Sequence, residues 1–118
     1  RNGAAPAIRR LGMVLDQGEQ EALMVATADA LLEAGLVGDV YVVSPRAATP
    51  GQIRPLFRPG HRICVQSNLE LSPESITRLI RHSPYDLLLL PRSCLDAIAP
   101  ETLDAALEKS GGQVLVIN

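Results

Sequence analysis

Residues 85–118 read YDLLLLPRSCLDAIAPETLDAALEKSGGQVLVIN: an apolar run, a loop, a helix-like segment and a second apolar run. The four leucines after Asp86 lack the alternation of a half-solvated strand, so both faces of this strand are expected to be covered, as in a parallel sheet. Pro100 suits the first position of a helix. Leu103, Ala106 and Leu107 then recur at helical spacing and form its expected inner side. Gly111 and Gly112 end that helix, and Gln113–Ile117 (QVLVI) is the next strand. A strand joined to a strand by a crossover helix is the unit of parallel α/β sheets. The loop Pro91–Pro100 holds two prolines and no glycine. That separates it from the glycine-rich loops in which backbone amides approach a phosphate closely.

The same grammar runs upstream. Ile8–Asp16 (IRRLGMVLD) reads as a first strand ending in an acid, and Gln17 and Gly18 turn the chain. Glu19–Ala34 is a run of strong helix formers, with Leu23, Ala26, Ala30 and Leu31 at helical spacing and Val25 and Leu32 widening the stripe. Glu19 and Glu21 stand where the helix dipole favours anions, and Gly35 is placed to end the helix in a left-handed conformation. Asp39–Ser44 (DVYVVS) is a second strand. Residues 45–61, rich in proline and arginine, read as an irregular loop with at most a short helical turn around Gln52–Leu56. Arg62–Gln66 is a third strand. Ser72 caps a helix whose first residue is Pro73 and whose inner side is Ile76, Leu79 and Ile80. That helix ends near Ser83–Pro84.

The chain has 118 residues, enough for one domain and one core, with residues 1–7 as an extended lead-in. Apolar residues make up 47%, but aromatics only 3%. Arginines therefore have almost no aromatic neighbours to help stack bases, which argues against single-stranded nucleic acid as a partner. The net charge of −2 hides an asymmetry. Residues 40–69 contain no acid but carry Arg46, Arg54, Arg58 and Arg62. Residues 70–118 carry seven acids against four bases. The arginine segment is either a solvated loop or a patch for an anion, a partner or a lipid headgroup. Two cysteines at unrelated positions make no disulfide framework, and Cys64, inside a strand, is expected to be a small buried hydrophobe. Their scarcity fits a reducing, cytoplasmic setting. His61 and His82 are far apart, so no metal or acid–base pair is expected from them. Ser93, Cys94 and Asp96 share a loop but have no nearby base, so catalysis is not expected.

MVLDQGEQEALMVATADALLEAG, SPESITRLIRHSPYDLLLLPR and ETLDAALEKSGGQVLVI together resemble the opening, middle and closing segments of universal stress protein domains. The resemblance covers most of the chain and is one of pattern. It implies an open five-stranded parallel sheet of order 3-2-1-4-5 with helices on both faces. Members usually carry a long helix between the second and third strands. Here the proline-rich segment takes its place, so that helix is expected to be shortened or missing.

Nucleotide-binding members carry glycines after the fourth strand and a Gly-Ser pair at the last helix. These positions fall at Pro91, Cys94 and Pro100-Glu101, on a shorter spacing. Proline fixes φ and donates no N–H. Glu101 would repel a phosphate by roughly 4 kcal/mol at about 4 Å in an effective dielectric near 20. ATP and other cofactors are therefore not expected. A crevice between the carboxyl ends of strands one and four should persist. It would set Asp16, Gln17 and Gly18 opposite Arg92 and Ser93, as a site for a nucleotide or other small anion through a non-standard loop. The matching Asp in binding members helps hold adenine. Asp16 is a relic, a ligand group or, as favoured here, a cap for the following helix.

The resemblance also implies that Gln113, Val114, Leu115, Val116 and Ile117 pair with their copies in a homodimer. Such domains are often appended to larger proteins. The first residue is Arg1 rather than Met, which with the basic segment suits a regulatory domain on the cytosolic face of a membrane transporter.

Overall fold

The computed structural model describes residues 6–16, 18–45, 50–70 and 72–117. Five strands, β1 (Ile8–Val14), β2 (Val37–Pro45), β3 (Ile63–Leu69), β4 (Leu87–Pro91) and β5 (Gln113–Ile117), form one sheet in the order β3-β2-β1-β4-β5. Every pairing is parallel. The connections carry α1 (Glu21–Glu33), α2 (Pro50–Ile53), α3 (Pro73–Arg81) and α4 (Pro100–Glu108). This is the expected α/β class and sheet order. Between β2 and β3, the helix among the described residues is α2 and a single 3₁₀ turn, Arg54–Leu56. Arg46 lies outside the described residues.

Neighbouring residues of a strand point to opposite faces, and the core divides accordingly. Leu11 and Met13 of β1 and Leu15 just beyond it pack with Met24, Val25 and Ala28 of α1 and with Ile53 and Phe57. Val14 joins Ile76 and Ile80 of α3, Ala106 of α4, and Leu88 and Leu90 of β4 on the other face. β4 is buried at all five positions, as its leucine run required. No helix among the described residues is long and apolar enough to cross a membrane.

Local signals fix several joints. The Ser72 hydroxyl accepts the Ser75 amide at 3.2 Å, and Pro73 follows, giving the expected start of α3. Gly35 has φ +73°, the left-handed conformation that costs glycine least. The amides of Gly35 and Leu36 reach back to the carbonyls of Leu32 and Leu31 and close the end of α1. At the start of β1, the Asp86 carboxylate accepts the amides of Arg9 (3.0 Å) and Arg10 (3.1 Å), locking β1 against β4.

Several expectations are corrected. α1 does not turn Leu23, Ala26 and Ala30 inward. Its buried residues are Met24, Val25, Ala28 and Asp29, and Leu23 is 52% exposed. Apolar residues surround this helix, so the 3.6-residue pattern admits two stripes about 100° apart, and the sheet covers the other one. On α4, Ala106 is buried and Leu103 packs on the core, but Leu107 is exposed, because only the inner stripe of this edge helix meets the sheet. Cys64 is exposed, because β3 is an edge strand. Only Glu21, not Glu19, lies in the first turn of α1.

Candidate functional site

β1 and β4 are neighbours, so their carboxyl ends bring Asp16 and the 3₁₀ turn Arg92–Cys94 together. The Ser93 hydroxyl donates to Asp16 Oδ2 at 2.6 Å. The Gly18 amide donates to Asp16 Oδ1 at 2.9 Å, and the Cys94 thiol lies 3.9 Å from Oδ2. Of the five residues expected here, Asp16, Gly18 and Ser93 meet. Arg92 is exposed at the start of the turn and does not line the cavity beside Asp16. Gln17 lies outside the described residues. Asp16 is not the cap of α1. That position belongs to Gln20, which makes no side-chain cap bond. Asp16 spends one oxygen closing its own turn and the other holding Ser93.

The cavity at this point measures about 120 Å3 and is bounded by Asp16, Ser93 and Cys94 together with Ser72, Pro73 and Ile76. The last three belong to α3 and its cap. Sequence reasoning missed them, although the topology holds the signal: a helix that follows a parallel strand begins at the carboxyl edge of the sheet. Burial, then the neighbouring Asp16 charge and its weak hydrogen bond, push the Cys94 thiol up to about 12. That thiol is a poor nucleophile, since the thiolate is the reactive form. Glu101 stands in the first turn of α4 as expected, but it lines a different cavity, with Arg81 and Lys109, between α3 and α4. The carboxylate in the strand-tip crevice is Asp16 itself.

A second polar cluster was not visible in the sequence. Asp29 of α1 is only 5% exposed. It accepts the Arg58 amide, at 3.3 and 3.2 Å to its two oxygens, and lies 2.7 Å from His61 Nδ1. The Arg58 guanidinium donates to Glu33, whose hydrogen bond and charge raise the Arg58 pKa further. The basic segment therefore finds its acids on α1, one helical turn apart. Arg58 is tied into the fold, which among the described residues narrows the free-patch reading to Arg54 and Arg62, both exposed. The i, i+4 spacing of Asp29 and Glu33 was the available signal. His82 is exposed at the C-cap of α3, as expected. Among the described residues, no three His, Cys, Asp or Glu side chains gather to hold a metal.

No protein-family model matches this chain, and no curated protein matches it.

Proposed function

We propose that the domain is a non-catalytic regulatory module of the universal-stress-protein type that pairs with a second copy of itself through β5. The observation that carries the reading is the state of that strand. β5 is the last strand of the sheet, paired to β4 along one side only. It is part-exposed along its length, and Leu115 is 44% exposed. A regular apolar edge of this kind is a template for strand addition. The sheet order and the acid-tipped first strand fit the resemblance from which the reading started.

Two further features support a module that works by pairing. The strand-tip cavity of about 120 Å3 is well below the roughly 300 Å3 at which ligand pockets begin, and each Asp16 oxygen already accepts a hydrogen bond from the protein there. The one thiol near that cavity is held protonated.

Sedimentation velocity over a hundredfold range of concentration tests the proposal. A dimer is expected, and Leu115→Lys should shift it to monomer while leaving the melting temperature of the domain close to the parent's. A monomer at every concentration overturns it. Thermal shift with ATP, ADP and AMP tests the alternative of a sensor at the Asp16 crevice. A ligand at 100 times its Kd stabilises by about 2.7 kcal/mol. A shift of that size, lost in Asp16→Ala, would replace pairing with ligand sensing as the function.

A further inference from the structure

Two spaces beside α3 are larger than the one at the strand tips. α3 and α4 lie on the same face of the sheet, with Ile76, Ile80 and Ala106 in one core. Two cavities open between them, of about 400 and about 300 Å3. Thr77, Arg81 and Thr102 line both, so the two form one groove with Arg81 at its middle. The floor is small and apolar: Ala97, Ile98 and Ala99 on one side of that midpoint, Ala105 and Ala106 on the other.

The charge in this groove is unusual for a chain of net charge −2. Arg78, Arg81 and Lys109 face it, opposed by Glu74 and Glu101. Among the described residues, none of these five is in an ion pair, unlike Arg58 with Glu33 and His61 with Asp29. The carbonyl end of α3 favours cations in its last turn, which accounts for basic residues at 78 and 81. It does not require both to border one cavity with a floor of alanines. Arg78 and Arg81 stand three residues apart on a helix, a spacing that makes them neighbours with Cβ atoms about 5–6 Å apart. Two neighbouring guanidinium forks suit an oxyanion with several acceptor oxygens. The Thr77 hydroxyl donates to the Pro73 carbonyl at 2.6 Å, so it offers lone pairs to ligand hydroxyls. Glu74 and Glu101 offer the same chemistry, and Glu101 borders only the smaller cavity, whereas Arg78 borders only the larger one, so the phosphate on the arginines and the Glu101 carboxylate occupy different ends of the groove.

From this we infer that the α3–α4 groove binds a small phosphomonoester, its phosphate on Arg78 and Arg81 and its hydroxyl-bearing body along Thr77, Glu74 and Glu101. The volume of about 400 Å3 falls inside the usual range for small-molecule sites. This groove adjoins the Asp16 crevice, sharing Pro73 and Ala97 with it, but Asp16, Ser93 and Cys94 do not border it, and it does not depend on how β5 pairs.

Calorimetric titration at low salt is the test, with AMP and a hexose phosphate as probes and adenosine, free hexose and chloride at matched ionic strength as controls. Binding of at least one phosphomonoester and of no control is expected. Arg81→Ala should weaken it about tenfold or more, because hydrogen bonds to a charged partner are lost, and Arg81→Lys should retain part. Both arginines are exposed, and a circular dichroism melt confirms that the variants fold. Amide shifts in the NMR spectrum should centre on residues 77–82 and 97–102, and Asp16→Asn should leave the affinity unchanged. The inference is overturned if no phosphomonoester binds at millimolar concentration, if the chloride control reproduces the heat, if Arg81→Ala binds as well as the parent, or if Asp16→Asn abolishes binding.

Discussion

Replacing Gly12 with alanine is the most direct test of how the two faces of this sheet are packed. Gly12 sits in the middle of β1, paired to Tyr41 on one side and Leu88 on the other. A Cβ there would lie 2.3 Å from Cδ2 of Tyr85 and 2.6 Å from its Cγ. Carbon atoms in good contact stand about 3.5–4.0 Å apart, so the ring would have to retreat by more than an ångström. It has little room: Tyr85 is 7% exposed, and its ring centroid lies 5.6 Å from that of Tyr41. Overpacking of this kind costs about 1–3 kcal/mol. The change would otherwise gain about 0.5–1 kcal/mol, because glycine inside a strand is less favourable than alanine. A net loss of about 1 kcal/mol is expected, read as a lower urea midpoint with an unchanged slope. The cause is isolated by a cycle with Tyr85→Ala. Without the ring, Gly12→Ala should be neutral or stabilising, giving a coupling energy of about 1–3 kcal/mol. A neutral single variant, or a coupling below about 0.5 kcal/mol, would refute the claim that the tyrosine lies on the bare backbone of β1.

Asp86→Ala should lower stability by about 1–2 kcal/mol, as loss of a cap does, because the amides of Arg9 and Arg10 lose their acceptor; equilibrium urea unfolding reads this, and an unchanged midpoint would remove Asp86 from the account of strand pairing. Asp29→Leu should cost about 2–3 kcal/mol by leaving the Arg58 amide and His61 without their acceptor, and hydrogen exchange at Arg58 should rise with it. At pH 8, a Cys94 thiol held up near 12 has a thiolate fraction of about 10⁻⁴, so iodoacetamide should label it roughly a thousandfold more slowly in the native state than in urea. Asp16→Asn should speed that labelling, and similar native and denatured rates would contradict the geometry. The stability sign follows from the same shift: the fold favours the neutral thiol, so its contribution is complete below the ordinary thiol range and is lost as pH climbs from there towards 12.

What could be read in advance follows from how far each signal reaches along the chain. The leucine run of β4 marks a strand covered on both faces without further context. Ser72-Pro73 marks the start of α3, because a cap is completed within three residues. The meeting of Asp16 and Ser93 needed only the sheet order and the rule that ligand crevices form at the carboxyl ends of adjacent strands. Signals that depend on partners far away failed. α1 is apolar nearly all round, and only the contact of Asp29 with a segment about thirty residues later shows which stripe faces inward. Cys64 lies in an apolar strand yet is exposed, because an edge position lacks cover that no local pattern encodes. Glu101 was assigned to the crevice from its place in the first turn of α4, whereas the direction of that helix carries it to the cleft with α3.

The short connection between β2 and β3 and the closed crevice bear on one question, namely where this fold leaves room. In a sheet of this order the strand tips are the natural place for a ligand. Here a ligand that takes over the Asp16 carboxylate displaces the hydroxyl of Ser93 and the amide of Gly18. Hydrogen bonds to a charged group contribute about 1.5–3 kcal/mol each. Both bonds here are solvent-exposed, which puts them at the low end, about 3 kcal/mol together. That is a penalty of about two powers of ten in affinity before a new contact is made. Proline at 91 and 100 removes amides that could offset it. On the α1 face, the Asp29–His61 and Arg58–Glu33 contacts fold the β2–β3 connection down onto the helix and use up its central cation. The α3–α4 cleft differs on both counts. Its cations are in no internal ion pair, although Glu74 and Glu101 border the same space, and its alanine floor leaves the volume open. The features that close the strand-tip site therefore point away from it, and towards the helix pair on the opposite face from α1.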